Sequence, residues 1–123
     1  MKVTAAKNER VANMIFGTIY PLYMNRLEKN GRTEEEFLQV IEWLTGHDKA
    51  KVESLIEQKA TFRQFFEEAN MHPNAHMIKG VVCGYRIEEI EDEFELYRHC
   101  RMMEKLIDEL AKGRKMEKIL RTA

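Results

Sequence analysis

Lys79, Cys83 and Arg86 lie within the stretch Ile78-Lys-Gly-Val-Val-Cys-Gly-Tyr-Arg-Ile-Glu-Glu-Ile90. On a helix turning about 100° per residue, Lys79 and Arg86 share one stripe and Cys83 sits beside it. Two cations flanking a thiol can hold an anionic ligand and lower the thiol pKa toward the nucleophilic thiolate. Glu88 stands close enough in sequence to join them as an acid or base. A plainer assignment uses the same residues: Arg86 pairs with a glutamate, Lys79 reaches solvent, and Cys83 is a small hydrophobe. A nucleophilic cysteine also requires a base and oxyanion donors, and no histidine is tied to Cys83 by spacing.

Other chemistry-bearing residues carry weaker signals. His72 and His76 have the four-residue spacing of a helical chelate, but Pro73 and Asn74 interrupt it, and no metal or other cofactor is expected. Cys83 and Cys100 lack the spacing of a zinc site and read as reduced thiols of a cytoplasmic protein. The carboxylates from Glu88 to Glu95 suit a solvated helix entrance. The basic run Lys112, Arg114, Lys115, Lys118 and Arg121 can touch phosphates, although capping a helix dipole and pairing with acidic neighbours is the preferred role. Thr45-Gly46-His47 gives the outline of a helix-turn-helix, yet Glu42 replaces the small residue needed between the helices, and Asp48 to Gln58 is not net basic. Trp43 can stack on a ligand or fill an interface.

The elements that position these residues are read from periodicity. A length of 123 residues suits one domain, and 44% hydrophobic with 33% charged residues is a globular balance. A formal net charge of −1 provides no field to recruit nucleic acid or membrane. The uncharged run Val11 to Asn25 is too short to span a bilayer, which needs about 20 apolar residues. Val11, Met14, Ile15, Thr18, Ile19 and Leu22 form a helical stripe in which Pro21 predicts a kink or break near Gly17 to Tyr20. Residues 1–8 precede it as a flexible arm. Thr33 with Glu36 forms a capping box, Asp48 caps a third helix, and Thr61 with Gln64 opens a fourth. A long helix is expected from about Glu93 to Lys112, then a short amphipathic turn through Met116, Ile119 and Leu120.

The stretch 77–90 allows one helix, a helix ending at Gly84, or a strand. Because no other segment offers a second strand, a strand would leave backbone groups unpaired unless it paired between molecules. A helix starting near Asn74 is therefore the preferred reading. The expected architecture is all-α: a compact single-domain bundle of five to six helices.

Several strings together carry a resemblance: Tyr20-Pro21-Leu22-Tyr23, Gly31-Arg32-Thr33, Trp43-Leu44-Thr45-Gly46, Phe65-Phe66, Gly80-Val-Val-Cys-Gly84, and Lys105 to Gly113 followed by Lys118-Ile-Leu-Arg121. The chain resembles the small bacterial proteins grouped as domain of unknown function 2200, from about Phe16 to Arg121. That resemblance implies no activity. It gives weight to Arg32, Trp43, Gly80, Cys83, Gly84, Arg86, Glu88, Lys105 and Asp108, and none to His72 or His76. The chain departs from the pattern at Glu93, where proline is usual, and at Glu104, where aspartate is usual. The candidate ligand-binding set is thus Lys79, Cys83, Arg86, Glu88, Arg32 and Trp43.

Abundant methionine and aromatic residues without an assembled catalytic set lead to one functional expectation. It is an interaction or regulatory module that associates with itself or with a protein partner. The alternative is an anionic-ligand binder or enzyme built on Lys79, Cys83 and Arg86, with nucleic-acid binding through the basic tail ranked below both.

Overall fold

The computed structural model describes residues 2–122. Its first helix, α1 (Ala5–Ala12), is capped by Thr4, whose hydroxyl accepts from the Lys7 amide at 3.2 Å. The helix thus begins inside the stretch 1–8 expected as an arm. Asn8 fastens it to the rest of the fold by accepting from the Tyr97 amide at 3.1 Å. The helical stripe that starts at Val11 is not continuous. It breaks between α1 and α2 (Phe16–Lys29), upstream of the Gly17 to Tyr20 position expected from Pro21. The Phe16 amide, unpaired at the start of a helix, donates to the Ala60 carbonyl at 2.9 Å, and the Phe62 amide donates to Met14 at 2.9 Å. This small antiparallel bridge, Ile15 against Thr61, draws the chain out of helix. Pro21 is accommodated inside α2. The carbonyl its ring approaches belongs to Gly17, where an added Cβ would lie only 3.1 Å from Ile56 Cγ2.

Three helices begin where side-chain acceptors are available. Thr33 and Glu36 form the full capping box of α3 (Glu34–Thr45), Asp48 caps α4 (Lys49–Glu57), and Thr61 caps α5 (Phe62–Glu67). Gly46 stops α3 with φ +78°. The long helix α6 (Glu95–Ala111) starts two residues later than expected and is followed by α7 (Met116–Ile119). Tyr97, Cys100, Met103, Leu106, Ile107 and Leu110 form the buried face of α6, which packs against α1, α2, α3, α5 and α7. Phe16, Phe37, Phe65, Ile41 and Leu44 complete the core without measurable exposure. Each such side chain contributes about 1.5–3 kcal/mol by leaving water. Phe16 stacks on Phe65 with ring centroids 4.3 Å apart and meets Phe62 edge-on at 5.7 Å. The described residues hold seven α-helices, so the all-α expectation stands with a slightly higher helix count.

The helix expected from Asn74 through the Lys79–Arg86 stripe does not form. A 3-10 turn at Ala75–Met77 leads instead into a two-stranded antiparallel hairpin, β1 (Val81–Val82) and β2 (Tyr85–Arg86). Cys83 has φ +53° and Gly84 φ +82°, so the pair makes a two-residue turn with both residues left-handed, the geometry that matches strand twist. The second strand comes from the same short stretch, which removes the unpaired backbone that favoured helix. Gly80, at φ +107°, closes the base: its carbonyl accepts from Ile87 at 3.0 Å and its amide donates to Glu88 Oε1 at 3.1 Å. Val82 and Tyr85 form one paired rung turned toward the protein, while Val81 and Arg86 face outward.

Since an L side chain in the left-handed region costs about 1–2 kcal/mol, Gly84→Ala should destabilise the protein by about that amount. Urea unfolding checks this. An unchanged midpoint would show that the turn is not held in this geometry.

Candidate functional site

The hairpin scatters the residues chosen from sequence. Lys79 is exposed ahead of β1, and Arg86 lies on the outer face with Nε 3.6 Å from Glu89. Glu88 is engaged at the Gly80 amide. Arg32 pairs with Glu36 at 3.1 Å, one turn along α3, and its Nε is buried without a partner. Trp43 donates to the Thr122 hydroxyl at 3.1 Å and stacks on His72 at 4.3 Å. Cys83 parts from both Lys79 and Arg86. Its thiol points back to α6 and donates to Glu104 Oε2 at 3.0 Å. The basic tail is largely tied inward: Arg121 makes a two-pronged pair with buried Glu109 at 2.8 and 2.9 Å, Arg114 joins that carboxylate at 3.1 Å, and Lys112 reaches Asp108 at 3.0 Å.

A different constellation forms around Cys83. The hairpin tip, α2 and α6 enclose a cleft of about 290 Å³. Its apolar wall comes from Val11, Ile19, Phe62, Val82 and Ile107. Its polar residues are Tyr23 and Arg26 from α2, Cys83 from the turn, and Arg101 and Glu104 from α6. Ile19, Tyr23 and Arg26 recur at the helical interval that places them along one stripe, as do Cys100, Glu104 and Ile107. Glu104 Oε2 receives both the Cys83 thiol and Arg101 Nη1, the latter at 2.5 Å.

Arg101 is braced from behind. Its Nη2 donates to the Tyr97 hydroxyl at 2.6 Å, and its guanidinium lies 4.6 Å from the Tyr97 ring centroid and 5.6 Å from that of Tyr85. Tyr85 is in turn held edge-on to Tyr97 at 5.3 Å and accepts from Lys7 Nζ at 2.7 Å. That bond to the Lys7 ammonium lowers the Tyr85 phenol pKa. Arg26 Nη2 meets Asp108 at 2.6 Å, and Asp108 is shared with Lys112. Burial pushes the Asp108 carboxyl upward, but the bonds to Lys112 and Arg26 outweigh it and leave the pKa lowered.

Electrostatics at Cys83 reverse the expectation drawn from Lys79 and Arg86. Burial, then the hydrogen bond to Glu104, raises the thiol pKa. Burial also raises Cys100, and burial with the neighbouring Glu104 charge raises the Tyr23 phenol. Both thiols and the phenol remain protonated at neutral pH. The cleft therefore presents donors, two guanidiniums and a phenolic O–H, while the Cys83 S–H is already donated to Glu104.

Two other concavities are comparable in size. One of about 320 Å³ lies outside the hairpin along Val81, Arg86, Glu89 and Phe94, and one of about 350 Å³ is lined by His76, Glu88, Arg98 and His99. In the second, Arg98 is occupied by the Ile90 carbonyl and Asp92, Glu88 by Gly80, and His76 by the Pro73 carbonyl. In the first, Arg86 faces Glu89. Around Cys83, two guanidiniums and a phenol meet an apolar wall, with N–H groups of Arg26 and Arg101 to spare.

A family model described as an uncharacterized protein conserved in bacteria, domain of unknown function 2200, matches residues 10–121. The chain belongs to this family. The match agrees with the resemblance read from Phe16 to Arg121. A crystal structure of the uncharacterized protein SP1917 is 34% identical, covers 91% of each chain, and superposes with a TM-score of 0.83. No curated protein matches. The helical architecture is therefore shared with a solved relative, and function is argued from the cleft.

The raised Cys83 pKa has a measurable sign. The folded state holds the thiol proton more tightly, so this contribution to stability is present below the unfolded thiol pKa of about 8.5 and is lost as pH rises through the folded value. Iodoacetamide should alkylate Cys83 at pH 8 more slowly than an unstructured thiol, and Glu104→Gln should speed the reaction. Equal rates in the parent and the variant would show that Glu104 does not hold the proton.

Proposed function

We propose that this protein is a small binding module whose site is the cleft between the hairpin tip, α2 and α6, and that it acts by recognition rather than covalent catalysis. The observation that carries this reading is convergence. Polar side chains from three separated segments meet at one apolar cleft of the size expected for a small ligand. The state of Cys83 argues against nucleophilic chemistry, because burial and then the hydrogen bond to Glu104 favour the protonated thiol. Among the described residues, no histidine lines the cleft.

Composition alone favoured a self-associating interaction module. Its support is the exposure of Leu22 at 60%, Val81 at 50%, Met77 at 41% and Met14 at 39%, each on a different segment. Singly exposed apolar side chains are ordinary on monomeric surfaces, so the cleft is the better-supported recognition element.

A thermal-shift screen against small molecules, followed by timed alkylation of Cys83, tests the reading. Ligands that raise the melting temperature should also slow alkylation, because Cys83 lines the site. Stabilising ligands that leave Cys83 equally reactive, or perturb residues outside the cleft, would overturn it.

A further inference from the structure

We infer that the ligand of this cleft is a compact carboxylate with an apolar body, its head bound by Arg26 and Arg101 and its tail laid against Phe62, Val82 and Ile107. This rests on the binding-module reading above and names the chemistry of the bound group.

Arg101 uses Nη1 for Glu104 and Nη2 for Tyr97, while its Nε is buried with no acceptor. That N–H is shielded from solvent, so the donors Arg101 can offer the cleft are the second N–H groups of Nη1 and Nη2. Tyr23 makes no side-chain hydrogen bond among the described residues, and its phenol stays protonated. Arg26 has one bond, to Asp108, and donors left over. The one S–H of Cys83 is already donated to Glu104. Among the described residues one carboxylate lines the cleft, Glu104, and it receives Cys83 and Arg101 on Oε2. The charged groups with N–H to spare are Arg26 and Arg101, and an ionised carboxylate, which only accepts, is the common small group that matches them.

Charge points the same way. Of the charged residues that line the cleft, Arg26 and Arg101 are cations and Glu104 is an anion, two to one, leaving one positive charge. A monoanion balances it, whereas a ligand ammonium would add a cation facing donors. Because Glu104 is neutralised by Arg101 at 2.5 Å, it does not bar an approaching anion.

Size and wall set the rest of the molecule. About 290 Å³ is the space of about ten waters at ~30 Å³ each, enough for a ligand of about ten non-hydrogen atoms. The wall of Val11, Ile19, Phe62, Val82 and Ile107 offers no polar side-chain atom. A strongly hydrated polyanion would lose water there without replacement, but an alkyl or aryl chain would gain by burial.

Titration of the full chain, followed by NMR, with octanoate, octanol, octylamine and inorganic phosphate tests the inference. Octanoate should bind at least about tenfold more tightly than octanol, the difference a charge-assisted hydrogen bond supplies. Arg26→Gln should remove most of that preference and leave octanol affinity unchanged. Arg101→Lys, which keeps the charge but loses the fork, should weaken octanoate as well. Equal binding of octanoate and octanol, or preference for octylamine, would overturn the carboxylate while leaving the cleft as a binding site. Phosphate binding as tightly as octanoate would overturn the apolar body. Failure of every probe to shift cleft resonances at millimolar concentration would overturn both this inference and the binding-module reading.

Discussion

Burial of the apolar face of α6 is the constraint on which the rest of the fold depends. Tyr97, Cys100, Met103, Leu106, Ile107 and Leu110 are covered by α1, α2, α3, α5 and α7 together with the hairpin, so that these elements share one scaffold. The polar residues of the same helix are fixed as a consequence. With Cys100, Met103 and Ile107 buried, the helical period places Arg101, Glu104 and Asp108 along the margin of the covered face, where α2 and the hairpin tip meet it. The cleft is a product of this margin: apolar where the core reaches the surface and polar where the helix turns toward solvent.

The Cys83–Gly84 turn determines how the cleft closes. Asparagine, aspartate or glycine is the usual choice at the first left-handed position of such a turn, because a larger side chain strains the backbone there. Cys83 occupies it at φ +53°. The strain is set against what the side chain reaches, namely Glu104 on α6 and through it Arg101. The turn thus joins hairpin to helix through a side chain where the backbone makes no ladder. From the opposite side, α1 reaches the hairpin through Lys7 and Tyr85.

What could be read in sequence was governed by the distance over which interactions act. The starts of α3, α4 and α5 were legible because a capping side chain and the amide it satisfies lie three residues apart. The family, the all-α class and the buried face of α6 were legible from motifs and periodicity. The hairpin was not, since two-residue strands give too little alternation and the glycines suit a helix end equally well. Val-Val-Cys-Gly-Tyr-Arg does carry a hairpin signal, a two-residue turn ending in glycine between β-branched and aromatic residues. The site was illegible for a further reason. Cys83 meets Glu104 across 21 residues and Arg26 meets Asp108 across 82, and no local pattern announces either pair. Lys79 and Arg86 were grouped with Cys83 by a helical spacing that the hairpin abolishes.

Two ionic clusters on α6 show why similar charges do different work. Glu109 is buried and saturated, gripped by both arms of Arg121 and by Arg114. That cluster takes two cations of the basic tail out of circulation and seats the chain after α7 against the helix. Removing Glu109 would leave the largely buried Arg121 guanidinium without its carboxylate, a penalty of about 3 kcal/mol or more. One residue earlier and around the helix, Asp108 and its neighbours stay partly open, with Arg26 half-exposed and Arg101 Nε unsatisfied. Spare donors beside an apolar wall are what distinguish the second, and they make recognition the better account of its presence.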